Sequence, residues 1–74
     1  MEKFKDCRVR VVDIEGDKAS LWSCKRKGSW YAWAIRVNVI VDSVNMIAGE
    51  TRSEAEKKAI EDYRYKLSLK DNDG

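Results

Sequence analysis

Hydrophobic and polar residues alternate through the first half of this chain and recur at helical spacing in its last third. Cys7 to Ile14 and Ala19 to Lys25 each read as a strand, and Trp30-Tyr31-Ala32-Trp33-Ala34-Ile35-Arg36-Val37-Asn38-Val39-Ile40-Val41 reads as one long strand. Gly16-Asp17 is a two-residue hairpin signal, and Lys27-Gly28 marks a second turn whose glycine can take positive φ. Asp42-Ser43 turns the chain into Val44 to Ala48, a segment compatible with a short fourth strand and equally with a packed loop. Thr51 is a good N-cap, with Glu54 where a capping box wants an acid. Ala55, Ala59, Ile60, Tyr63 and Leu67 then form one apolar stripe on an otherwise charged helix.

These elements predict a single α+β domain over residues 1–74. Strands fall at about 7–15, 19–26 and 29–41, with 44–48 as the candidate fourth; the helix covers about 52–68, and 69–74 is a polar tail. The expected architecture is a three- or four-stranded antiparallel meander with one C-terminal helix packed on one face.

The hairpins also predict faces. With Gly16-Asp17 as the turn pair, Val11 faces Trp22 and Val9 faces Cys24; with Lys27-Gly28 as the other, Cys24 faces Tyr31 and Trp22 faces Trp33. One face then collects Cys7, Val9, Val11, Trp22, Cys24, Tyr31, Trp33, Ile35, Val37, Val39 and Val41, and its bulk of apolar side chains makes it the expected core beneath the helix. The reverse face, with Arg8, Arg10, Val12, Leu21, Ser23, Lys25, Trp30, Ala32, Ala34, Arg36 and Asn38, is expected to stay open.

Composition narrows the chemistry. Seventy-four residues with 15 basic and 13 acidic side chains give a net charge of +2, too balanced for a polyanionic DNA mimic or a protein that works by bulk positive charge. A core of this size rarely supplies more than about 3–5 kcal/mol, so self-association or a bound partner is a natural supplement. No segment reads as a membrane span or a signal peptide, which points to the cytoplasm, the host's if the chain is phage-encoded. In that compartment Cys7 and Cys24 are expected as reduced, small core residues. There is no histidine, no CxxC pair and no glycine-rich phosphate loop, so no nucleophile–base pair, zinc site or cofactor site is expected, and the chain does not read as an enzyme.

Binding is the remaining class. On the face expected to be open, Val12, Leu21, Ala32 and Ala34 form a shallow apolar patch, rimmed by Arg8, Arg10 and Arg36 and, at one end, by the turn Lys25-Arg26-Lys27. Trp30 is the anchor candidate for a protein partner or a second copy. The same basic, Trp-containing face could alternatively hold nucleic acid, by phosphate attraction and base stacking.

The run Trp33 to Val39, the turn at Asp42-Ser43 and the stretch Gly49-Glu50-Thr51-Arg52-Ser53-Glu54-Ala55-Glu56-Lys57-Lys58-Ala59 resemble the closing strand–strand–helix of double-stranded-RNA-binding domains. The resemblance implies a helix start whose basic side chains reach phosphates. Arg52, Ser53 and Glu56 match those positions, and only Arg52 keeps the charge. That family's first helix has no counterpart, because residues 1–25 read as strands. The outline is also similar to the sheet-plus-helix arm-binding domain of phage integrases. The expectation is therefore a small non-enzymatic binding or regulatory protein, in the style of a phage or mobile-element accessory protein or inhibitor.

Overall fold

The computed structural model describes residues 3–37 and 45–72. Four antiparallel strands, β1 (Lys5–Ile14), β2 (Asp17–Arg26), β3 (Ser29–Arg36) and β4 (Ile47–Gly49), form a sheet in the order of the chain. A C-terminal helix, α1 (Arg52–Asn72), packs against it, so the fold is an α+β meander with one helix. The helix runs four residues past its expected end, into the stretch read as tail. The fourth strand is real and short, pairing Ile47, Ala48 and Gly49 with Ala32, Tyr31 and Trp30. The expected continuation of β3 through Val41 falls mostly outside the described residues.

Both hairpins close on two-residue turns with positive φ at each central residue, the geometry that matches strand twist. Lys27 (φ 51°) and Gly28 (φ 78°) make the second turn as expected. The first uses Glu15 (φ 51°) and Gly16 (φ 89°) rather than Gly16-Asp17, with the Asp13 carboxylate accepting from the Gly16 amide at 2.9 Å. The β1–β2 register is therefore offset by two residues from expectation: Val9 faces Trp22 and Val11 faces Ser20. A shift of two keeps every side chain on its expected side of the sheet.

That offset explains the cysteines. Cys7 and Cys24 lie on neighbouring strands with Cα atoms 4.1 Å apart and form a disulfide, so the expectation of free thiols is corrected. The expected register had placed Val9 opposite Cys24 and hidden the pair.

The larger correction concerns which face α1 covers. Leu21 and Ala32 are fully buried beneath Ala55 and Ala59, with Val12, Trp30, Ala34, Ile47 and Ile60 packed around them. The helix thus seals the face expected to be open. The reason is volume rather than hydrophobicity. A helix that meets a sheet through alanines needs a shallow platform, and Ala19, Ser23, Ala32, Ala34 and Gly49 supply one. The other face carries Trp22, Tyr31 and Trp33, which would hold the helix away.

Gly49 shows how close the approach is. A Cβ placed there would lie 2.6 Å from the backbone nitrogen of Ala55. Gly49→Ala is expected to destabilise the fold by about 1–3 kcal/mol, as overpacking does. A urea midpoint equal to that of the wild type would contradict this contact.

The helix start is capped as expected on one side. Thr51 Oγ1 accepts from the Glu54 amide at 3.1 Å, while the Glu54 carboxylate reaches the Glu50 amide at 3.4 Å.

Candidate functional site

The residues expected to form a docking surface are, for the most part, the residues that hold α1. Leu21 is core, and Val12, Trp30 and Ala34 pack against it. Arg10 pairs with Glu56 of the helix at 3.2 Å, and Arg36 pairs with Asp17. The Asp17 carboxylate raises the Arg36 guanidinium further above its ordinary range, so this arginine stays charged at any accessible pH. Trp30 lies between two cations, with the Arg52 guanidinium 4.3 Å and the Lys25 ammonium 5.7 Å from its ring centre. Arg52 also donates to the carbonyl of Asp6. The side chain that the RNA-binding resemblance would aim at a phosphate is thus engaged within the fold. Arg8 is exposed on the helix side of β1, and Asn38 lies outside the described residues. The proposed patch therefore does not exist as an open surface.

Arg26 and Lys27 have a different position. Lys27 is exposed in the second turn, and Arg26 points to the sheet's other side, where its guanidinium lies 5.3 Å from the Phe4 ring centre.

That other side is the outer face, and no element among the described residues covers it. The registers of the two hairpins place its side chains in rows across β1, β2 and β3. The first row is the Cys7–Cys24 disulfide with Tyr31; the second is Val9, Trp22 and Trp33; the third is Val11, Ser20 and Ile35. These nine positions carry no charge. At ordinary strand spacings they span roughly 10 by 13 Å.

The aromatic rings are ordered against one another. Trp22 and Trp33 stack with centroids 6.1 Å apart and planes within 5°. Phe4 closes the first row, edge-on to Tyr31 at 6.1 Å and to Trp33 at 6.2 Å. Such pairs add about 0.5–1.5 kcal/mol beyond area burial, which keeps the rings preformed. On β1 the face is open: Val9 is 49% and Val11 64% exposed. An apolar, aromatic centre with charge confined to its margins is the anatomy of a protein interface.

Those margins differ. Beyond the third row, Asp13 stands opposite Lys18, one charge of each sign. Beyond the first row, Lys5, Lys25, Arg26 and Lys27 surround a hollow of about 180 Å³ in which Asp6 is the single acid. A second concavity, about 330 Å³ between β1 and α1, interleaves Arg10, Lys57 and Arg64 with Glu56 and Glu61. Within it Arg10 pairs with Glu56, while Arg64 pairs with Glu15 outside it.

The sequence reading had placed eight of the nine on one face; Ser20, opposite Val11 and Ile35, was assigned to neither. What was missed is that the helix leaves this face uncovered, and the signal for it was the match between Ala55 and Ala59 and the small residues of the reverse side. Among the described residues, no group of three or more His, Cys, Asp or Glu side chains is placed to hold a metal ion. No helix there is long and apolar enough to cross a membrane. Compared with family models, curated proteins and solved structures, the chain has no match.

Proposed function

We propose that this is a non-enzymatic binding protein whose working surface is the outer face of the sheet, and that what it binds is another protein. The observation that carries this reading is the nine-residue uncharged block with a stacked Trp22–Trp33 pair at its centre. Rigid aromatic side chains give large contact area at low entropic cost, and tryptophan and tyrosine dominate interface energetics. Nucleic acid is the poorer fit. Strand-tracking sites distribute cations along the whole path of the phosphates, whereas this face has none over its three rows. The disulfide favours a compartment where thiols are oxidised over the cytoplasm inferred from the sequence.

A photo-crosslinking side chain placed at Val11, in the cell that makes the protein, tests the reading. The expected result is a discrete protein adduct from Val11 and none from Lys58, which is exposed on the helix. Absence of any protein adduct from Val11, or equal labelling from both positions, would overturn it.

A further inference from the structure

The two ends of the outer face are not equivalent, and the difference identifies the partner. At the Gly16 end every carboxylate has a cation beside it. Asp17 pairs with Arg36, Glu15 with Arg64 at 3.5 Å, and Asp13 stands opposite Lys18. At the Gly28 end, Lys5, Lys25, Arg26 and Lys27 crowd one hollow against Asp6 alone. Arg26 and Lys25 lie over the Phe4 and Trp30 rings, which neutralises neither charge. An excess of positive charge therefore sits at the strand ends beyond the row of Cys7, Cys24 and Tyr31, with Arg26 on the outer side over Phe4 and Lys25 on the side of Trp30.

Resting on the reading above, we infer that the outer face takes a polypeptide segment of mixed chemistry. Apolar side chains cover the three rows, and carboxylates immediately beyond them enter the hollow at the Gly28 turn. The block spans roughly 13 Å along the strands, the length of about two helical turns. A short amphipathic segment with one acidic end fits it. A second copy of this chain is a weaker occupant. Its outer face has no surplus of carboxylates to meet four cations, and a parallel arrangement would bring two cationic ends together. Charge at an interface margin acts mainly on encounter rate, salt dependence and choice of partner, so it is read by altering charge while the apolar rows stay intact.

The test is the Val11 crosslink repeated with Lys5→Glu and Lys27→Glu together. Both side chains are exposed, neither touches the core, and the change turns this end from net cationic to net anionic. Thermal melts confirm that the double variant folds. The expected result is an adduct yield about tenfold lower than with the wild-type turn, and a wild-type yield that falls as salt rises. The adduct peptide, sequenced by mass spectrometry, is expected to carry Asp or Glu next to apolar residues.

An undiminished adduct in the double variant would overturn the acidic partner while leaving protein binding at this face standing. An adduct of twice the chain's mass would assign the face to a second copy, and a nuclease-sensitive adduct would assign it to nucleic acid. Either outcome overturns the inference. No adduct in either background would remove the binding reading itself.

Discussion

Leu21→Glu is expected to leave the chain unfolded, whereas Val11→Glu is expected to fold with nearly unchanged stability. Leu21 is fully enclosed beneath α1, in a cluster with Ala32, Ala55 and Ala59. Truncating such a leucine to alanine costs about 2–5 kcal/mol through lost transfer energy and the cavity left behind. A glutamate adds a buried carboxylate with no partner, and several kcal/mol more. A domain of this size has about 3–5 kcal/mol to lose. Val11 points to the opposite side, is 64% exposed, and loses little when made polar. Far-ultraviolet circular dichroism and a thermal melt of the two variants decide the matter. A folded Leu21→Glu beside an unfolded Val11→Glu would mean that the helix covers the other face.

Reduction is expected to have the second largest effect. The Cys7–Cys24 bond joins residues 17 apart in sequence. Closing a loop of about this length restricts the unfolded chain by roughly 3 kcal/mol in the chain-entropy account. In a domain of this size each kcal/mol moves Tm by about 4–8 °C. Thermal melts with and without a dithiol reductant are therefore expected to differ by about 12–24 °C, and Cys7→Ser with Cys24→Ser should reproduce the reduced curve. Identical melts would show that the bond contributes nothing to holding β1. The reduced protein is expected to loosen first at β1, because the helix reaches that strand chiefly through the Arg10–Glu56 pair and the Arg52 contact to Asp6. Amide exchange would show this as faster labelling of Arg8 to Val11 than of Leu21 to Cys24.

How much of this was legible in the sequence depends on the kind of information each feature needs. Strand alternation and hairpin turns are local, so β1, β2, β3 and their two faces could be read from the chain. The turn at Glu15-Gly16 was misplaced by one residue because Gly16-Asp17 fits the same turn chemistry. The two choices differ only in which residues flank the turn, and the structure pairs Ile14 with Asp17. The disulfide followed from that pairing, and a search for register that aligned the two cysteines would have found it. Which face the helix covers is a question of complementary volume. Trp22, Trp33 and Val9 carry far more apolar side-chain area than Ala32, Ala34 and Gly49, so weighing apolar bulk points to the wrong side. Ala55 and Ala59, in the apolar stripe read from the chain, permit a close approach. The further step was that a close approach excludes a platform of indole rings. Because the candidate site is defined by what the helix leaves uncovered, that one inversion moved it from Leu21, Trp30 and Ala34 to Val9, Trp22 and Trp33. The basic turn, expected to border the face with Trp30, lies at the end of both faces, with Arg26 over Phe4 on the outer side and Lys25 over Trp30 on the helix side.

The bulge near Asp6 has a consequence for how this protein survives at high concentration. β1 is an edge strand of ten residues with open side chains, the kind of border onto which a neighbouring chain can zip its own amides. The irregularity between Lys5 and Arg8, with Asp6 at φ 51°, breaks the even spacing such zippering needs. Arg8, Arg10 and Asp13 place charges along the rest of the border. The molecule thus leaves one apolar face of β1 open while guarding the adjacent rim against endless lateral growth into fibres.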